Sequence, residues 1–172
     1  MPVNIGSQPE HGFDQPLGLL SDCHRRIERF LGVLTRIADE AGGGALSEDQ
    51  SRALAVALRY FREAAPRHTA DEEESLFPRM RAAGNSEAIA ALEGDHLRAA
   101  ALHAEVEEIF SQLSVDKIAR LRGALAELTG IYTGHIQVED NFVFPLAGRT
   151  LDRETQLAIG REMATRRGIH IR

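Results

Sequence analysis

Residues 68–78 read HTADEEESLFP, and residues 135–145 read HIQVEDNFVFP. The two stretches share the form H-x3-E-x4-F-P, so one part of the chain repeats in another. On an α-helix, residues four positions apart lie on one face about one turn apart. Each copy therefore predicts a helix that presents an imidazole and a carboxylate side by side. The predicted pairs are His68 with Glu72 and His135 with Glu139.

The sequence around these two copies has the periodicity of long amphipathic helices. Apolar residues recur at spacings of three and four in four segments, and no segment has the alternation of a strand. The segments are joined by short connections, which predicts an all-α, up-down-up-down four-helix bundle. The predicted helices cover about 16–41, 47–84, 86–113 and 114–148, with a capping box at Ser47 and Gln50 and a cap at Ser114.

A chain of 172 residues has the usual length of one domain. We expect an N-terminal arm over 1–15, the bundle over 16–149, and a C-terminal helix and tail over 150–172 that pack on the bundle. Prolines at positions 78 and 145 are expected to kink or stop their helices. A kink there would also place the preceding phenylalanine beside the polar residues.

Composition and charge exclude several classes of protein. The chain has 20 basic and 26 acidic residues and a net charge of -6, which argues against binding to nucleic acid. No apolar run approaches about 18 residues, so no membrane span is expected. The N-terminus lacks the basic and apolar regions of a signal peptide, and a single cysteine rules out an internal disulfide framework. A cytoplasmic protein is expected.

Each predicted helix has one histidine on its apolar stripe. A buried imidazole or carboxylate is costly unless it is hydrogen-bonded, paired or bound to a metal ion. The chain then divides into two helical hairpins, each with one single histidine and one His-x3-Glu pair. A two-fold arrangement of the hairpins would bring six side chains together: His24, His68, Glu72, His96, His135 and Glu139.

A set of nitrogen and oxygen ligands without a thiolate suits iron, manganese or zinc. Four imidazoles with two carboxylates suit a dinuclear centre, in which Glu72 and Glu139 bridge two ions that each bind two histidines. The alternative interpretation is a metal-free core in which the two glutamates pair with the histidines as buried ions.

This pattern resembles the hemerythrin-like family, and its HHE cation-binding branch in particular. The phrases DCHRRIERF, HTADEEESLFPRM and REMATRRG are similar to that branch, and the resemblance covers the chain after the arm. It implies a bundle with two non-haem iron ions in an oxo- or hydroxo- and carboxylate-bridged centre that binds O2 or a related small molecule. The ligands carried over are His24, His68, Glu72, His96, His135 and Glu139.

One position departs from the oxygen-carrying hemerythrins, and a second offers two candidate carboxylates. Those proteins have a second histidine where this chain has Ala100, and their last helix uses His-x4-Asp, a spacing at which this chain has Asp140. We favour Glu139 over Asp140 because the internal repeat pairs it with Glu72. With one histidine fewer, both ions could keep an open position, which favours sensing or redox chemistry over simple O2 carriage.

Several further polar residues near the predicted ligands have more than one interpretation. The alternatives for His103 are a seventh ligand, a hydrogen-bond donor to a ligand, or a core histidine with its own hydrogen-bond partner. The alternatives for Glu28 are a ligand, a partner of a ligand, or one half of a salt bridge. Tyr132 either packs in the core or donates to a bound oxygen species. Cys23 is expected to be a small core residue. Solvated charges are expected at Asp71, Glu73, Glu74, Arg166, Arg167 and Arg172, with Asp71 also a candidate for orienting an imidazole.

The sequence thus predicts a protein that binds or senses O2, NO or peroxide at a di-iron centre. A di-iron enzyme that turns over peroxide or O2, or that repairs iron centres, is the alternative, as is an iron or zinc reservoir. A signalling output would need a separate partner or self-association, and the chain could be a monomer or a homo-oligomer. The expected apolar lining of the ligand pocket consists of Phe61, Leu92, Phe110, Leu128 and Phe142.

Overall fold

The computed structural model describes residues 9–84 and 86–171, which are helical and contain no strand within those ranges. The all-α class is confirmed, while the up-down-up-down order stays a prediction. The helices are α1 (Pro16–Ala41), α2 (Glu48–Glu63), α3 (Ala65–Ala70), α4 (Phe77–Ala82), α5 (Ser86–Ser111), α6 (Ile118–Val138), α7 (Phe144–Thr150) and α8 (Arg153–Arg166). Two π-helical turns, Asp71–Leu76 and Glu139–Val143, join α3 to α4 and α6 to α7.

Local sequence signals explain where several helices begin and end. Ser47 and Gln50 form the expected capping box at the start of α2. Helix α1 ends at Gly42, which takes the left-handed conformation with φ 54° that glycine adopts at little cost. Ser114 instead precedes a short 3-10 turn, Val115–Lys117, and its side chain makes no capping hydrogen bond.

The two π-helical turns coincide with the two copies of the repeat. In each, the phenylalanine N–H donates to the carbonyl five residues earlier, so that Phe77 bonds Glu72 and Phe144 bonds Glu139. The proline that follows has no N–H, and its ring would clash with the carbonyl four residues before it in a regular helix. A widened turn avoids that clash. Of the two expected effects, a kink or a stop, the stop is wrong, because α4 and α7 continue past the prolines.

Helix α1 packs on α2 and α6, and α5 packs on α6. The buried apolar residues form two clusters, and each of the long helices α1 and α5 contributes to both. On α1 the second cluster includes Leu20 and the first includes Ile27, so His24 lies between them. On α5 the corresponding residues are Leu92 and Ala99, with His96 between them. The predicted ligands therefore form a polar layer between two apolar cores.

Helix α8 packs closely against the chain that precedes α1. A Cβ atom at Gly160 would lie 1.8 Å from the carbonyl oxygen of Phe13, so only glycine permits this approach. The Arg153 guanidinium also donates to the carbonyl of Asp14 at 2.9 Å. Residues 9–15 and α8 thus lie side by side, while residues 1–8 of the predicted arm are outside the described residues. Among the described helices, none is long and apolar enough to cross a membrane.

Candidate metal centre

The six predicted ligands converge in the polar layer between the two apolar clusters. The side chains of Glu72 and Glu139 are completely buried, and His96, the most accessible of the six, has 8% of its side chain exposed. Helix α1 supplies His24, α3 and the first π-helical turn supply one His-x3-Glu pair, α5 supplies His96, and α6 with the second π-helical turn supplies the other pair.

The Glu72 carboxylate lies between imidazoles of both hairpins. Its Oε1 is 3.0 Å from Nε2 of His68 and 3.7 Å from Nε2 of His24. Its Oε2 is 3.1 Å from Nε2 of His96, which belongs to the other hairpin. One oxygen thus faces each half of the cluster, as a bridging carboxylate requires.

The Glu139 carboxylate also lies between imidazoles of the two hairpins. Its Oε2 lies 3.0 Å from Nε2 of His24 and 3.1 Å from Nε2 of His135. This carboxylate therefore also contacts one imidazole from each hairpin.

Two groups of these atoms are compact enough to hold a metal ion. The ligand atoms within each group all lie within 4.8 Å of one another, and Glu72 belongs to both groups. The imidazole rings also pair by hairpin, with centroid separations of 5.0 Å for His24–His68 and 4.6 Å for His96–His135. The first group is His24, His68, Glu72 and Glu139, and the second is Glu72, His96 and His135.

The hydrogen bonding of the cluster fits a cation better than a metal-free core. Seven buried side-chain nitrogen or oxygen atoms in the described part of the chain have no hydrogen-bond partner, and all seven belong to the predicted ligands. They include both carboxylate oxygens of Glu72 and of Glu139, and Nε2 of His24 and of His135. Buried polar atoms are seldom left unpartnered in native proteins. Hard divalent or trivalent cations would satisfy these donors.

The close approach of imidazoles and carboxylates in the cluster shifts the pKa values of several of these groups. Burial alone would lower the pKa of His24, but interactions with Asp140, Glu139 and Glu72 raise it to about 11. Burial likewise opposes charge on His68, while its contacts with Glu72 raise its pKa to about 10. Burial tends to raise the pKa of Glu72, but the surrounding imidazoles hold it well below its usual range. The carboxylates therefore favour the protonated imidazoles of His24 and His68 in the metal-free chain.

Acidic residues next to the ligands orient three of the imidazoles through Nδ1. Asp140 lies 3.1 Å from Nδ1 of His24, and Glu73 lies 2.8 Å from Nδ1 of His96. Asp95 lies 3.4 Å from Nδ1 of His135. Such partners orient the rings so that Nε2 of each faces Glu72 or Glu139.

Glu73 and Asp140 are equivalent positions of the repeat, since each follows a predicted ligand glutamate directly. The interpretation of Glu73 as a solvated charge is therefore wrong, and the repeat itself could have revealed its role. Asp140 contacts Nδ1 of His24, whereas Glu139 contacts Nε2 on the opposite edge of the same ring.

The phenylalanines of the repeat lie against imidazoles of the opposite hairpin. Phe144 stacks on His24 with the ring centroids 5.4 Å apart, and Phe77 stacks on His96 at 6.0 Å. Each π-helical turn therefore positions a carboxylate, an orienting acid and an aromatic wall around one histidine.

Asp71 does not orient an imidazole, and it is not solvated. Its carboxylate is completely buried and accepts hydrogen bonds from Arg166 at 3.0 Å and from Arg167 at 2.6 Å. Arg166 also donates to Ser75 at 2.8 Å. The arginines expected to be solvated thus fasten α8 to the first π-helical turn, beside Glu72. Arg172 lies outside the described residues.

The remaining candidates lie around the cluster rather than in it. Cys23 is buried and unpaired, and Glu28 is exposed on α1. His103 and Tyr132 form a hydrogen bond with 3.0 Å between Nε2 and the phenol oxygen. Phe142, expected in the apolar lining, is 69% exposed, because the second π-helical turn rotates it away from the core.

Comparison with known proteins agrees with this geometry. The family model of the hemerythrin HHE cation binding domain matches residues 15–147. A Haemophilus influenzae protein, described only as uncharacterized, is 26% identical over 163 residues that cover 91% of this chain and 92% of that protein. The matched range contains all six converging histidines and glutamates. The chain belongs to the hemerythrin HHE cation-binding family.

Proposed function

We propose that this protein binds two iron ions and uses them to bind or sense O2, NO or peroxide. His24 and His68 would hold one ion, His96 and His135 the other, and the carboxylates of Glu72 and Glu139 would bridge them. Iron in such a setting supplies reversible redox change and exchangeable coordination positions. Zinc and manganese also suit the donor set, since it contains nitrogen and oxygen only.

The observation that carries this proposal is the set of unpartnered buried atoms on the predicted ligands. A core built for ion pairing alone would align the imidazole N–H groups with the carboxylate oxygens. Here both oxygens of Glu72 and Oε2 of Glu139 lie 3.0–3.7 Å from imidazole nitrogens, yet all four carboxylate oxygens lack a hydrogen-bond partner. Converging donors around a shared space are typical of a metal site.

A di-iron enzyme is the second candidate, and one observation favours it. The hydrogen-bonded pair of Tyr132 and His103 offers a proton donor close to the centre, as turnover of peroxide or O2 would need. A reservoir for iron or zinc is the third possibility. A centre that no pocket reaches would suit a reservoir better than this one, in which a pocket reaches His96.

Anaerobic loading with Fe(II), followed by optical spectra on addition of O2 or NO, tests the proposed function. We expect new charge-transfer bands that form with each gas and that are absent from the zinc-loaded protein. Bands that vanish on removal of the gas support binding or sensing, while continuous consumption of O2 or peroxide supports an enzyme. A loaded protein whose spectrum responds to neither gas, and that consumes neither O2 nor peroxide, would contradict both.

Metal loading is expected to release protons. With pKa values of about 11 and about 10, His24 and His68 carry a proton at pH 7 in the metal-free chain, whereas a metal ion binds the neutral ring. Glu72 is already ionised and contributes none. His96 adds to this count, because its contacts with Glu72 and Glu73 raise its pKa despite burial. Loading at pH 7 should therefore release at least about two protons per chain, and metal affinity should rise with pH.

Titration with Zn²⁺ in buffers of different ionisation enthalpy measures this release by calorimetry. Zinc is suitable because it has no redox chemistry. Binding heats that do not depend on the buffer would show that no proton is displaced, and the imidazoles would then not be the ligands.

A further inference from the structure

A pocket outside the cluster leads to one of its imidazoles. It has a volume of about 300 Å³ and lies between the chain around α3 and helix α5. His96 is the predicted ligand on its wall, and the surrounding residues include Thr69, Ala100, His103 and Tyr132. The pocket therefore opens on the half of the centre that contains His96 and His135.

Ala100 explains why there is room in front of His96. It lies four residues after His96, so both point to the same face of α5. Ala100 is exposed and contributes a single methyl group to the lining of the pocket, so a leucine at this position can fill part of the opening. The group of ligands on this side is also the smaller of the two, with three residues against four.

The inner wall of the pocket contains a neutral hydrogen-bonding pair. Burial lowers the pKa of His103 to about 4, so its imidazole is uncharged at pH 7 and Nε2 can accept from the phenol of Tyr132. Burial, together with the nearby charge of Glu72, raises the pKa of Tyr132, so the phenol keeps its proton. If His103 changes tautomer and donates to the phenol oxygen, the phenol proton becomes free to point into the pocket.

We propose that this pocket is the route by which a small ligand reaches the ion at His96 and His135, and that Tyr132 donates a hydrogen bond to the bound ligand. The inference rests on the proposed function and specifies which half of the centre takes the ligand. The ligand class is a small anion or diatomic molecule with a hydrogen-bond acceptor, because the only polar groups that the pocket offers beside His96 are Thr69, Arg62 and the Tyr132–His103 pair within the described chain.

Azide binding to the oxidised, iron-loaded chain tests the route. Ala100→Leu fills the pocket, whereas Ala101→Leu adds the same side chain at an exposed neighbouring position that does not line it. In stopped-flow measurements, Ala100→Leu should slow azide association by about tenfold, and Ala101→Leu should match the unmodified chain. Thr69→Leu narrows the pocket from the opposite wall and gives a second variant if Ala100→Leu binds little iron.

The hydrogen bond is tested by equilibrium titration with azide. Tyr132→Phe should weaken azide binding by about tenfold, as expected for loss of a hydrogen bond to a charged group. Tyr60→Phe is the matched control, because Tyr60 is also partly buried but its hydroxyl donates to the backbone of Cys23 instead.

Iron content separates the two proposals. If the unmodified chain retains no iron, the proposed function fails and this inference fails with it. If all the variants retain iron, equal association rates for Ala100→Leu and Ala101→Leu would overturn the route alone. Equal azide affinities of Tyr132→Phe and Tyr60→Phe would overturn the hydrogen bond.

Discussion

Replacing Glu139 with alanine is expected to lower the iron content of the loaded chain from about two ions to well below one. The Glu139 carboxylate is completely buried and contacts Nε2 of His24 and of His135, one in each hairpin. Alanine removes one of the two carboxylates that contact imidazoles of both hairpins. Metal analysis after anaerobic loading measures the loss, and circular dichroism of the variant checks that the helices remain.

Asp140→Ala is the matched control, since it removes the neighbouring carboxylate. Asp140 contacts Nδ1 of His24, on the far edge of the ring from Nε2, so it orients the imidazole and does not face the ions. Its loss should weaken metal binding by roughly 10- to 100-fold, while saturating iron still fills both positions. If Asp140→Ala empties the centre and Glu139→Ala does not, the equivalence of Glu139 with Glu72 is wrong.

Binding of each metal ion is expected to raise the melting temperature of the chain by about 8–16 °C. A metal ion present at 1,000 times its dissociation constant stabilises the folded state by about 4 kcal/mol. In a domain of this length each 1 kcal/mol shifts the melting temperature by about 2–4 °C. The physical source is the unpartnered atoms of Glu72 and Glu139, which the ions would satisfy.

Differential scanning calorimetry with and without Zn²⁺ measures this shift. The Glu139→Ala variant should lose most of the rise in melting temperature that Zn²⁺ causes. This result would separate binding in the core from weak binding at surface carboxylates. Equal melting temperatures of the loaded and the metal-free chain would favour the alternative of a core stabilised by ion pairs alone.

The convergence of the six candidate residues could be predicted from the sequence because the signal is periodic. Imidazoles on the apolar stripes of four helices have to meet in the core, and the repeat shows which glutamates accompany them. The structure brings all six together. Their role as ligands remains a prediction that the metal measurements decide.

The π-helical turns could not be predicted from regular helical spacing. A stripe extended at 3.6 residues per turn places Phe142 in the core, whereas the widened turn exposes it and buries Val143 and Phe144. The signal that marks these turns is the proline six residues after each glutamate. Because the proline is interpreted as a possible end of the helix, the π-helical turn before it is not predicted.

The pairing of Asp71 with Arg166 and Arg167 was also beyond sequence reasoning. The partners are more than 90 residues apart, and their contact depends on how α8 packs against the first π-helical turn. Nothing in the local pattern of either segment distinguishes a buried ion pair from solvated charges. Tertiary packing alone decides this contact.

The number of iron ions per chain tests the central claim most directly. The chain is loaded anaerobically with excess Fe(II), freed of unbound metal and analysed for iron and protein. Two bridging carboxylates between two pairs of imidazoles predict about two ions per chain. A ratio of one would contradict the dinuclear centre, and a ratio near zero would contradict a metal site altogether.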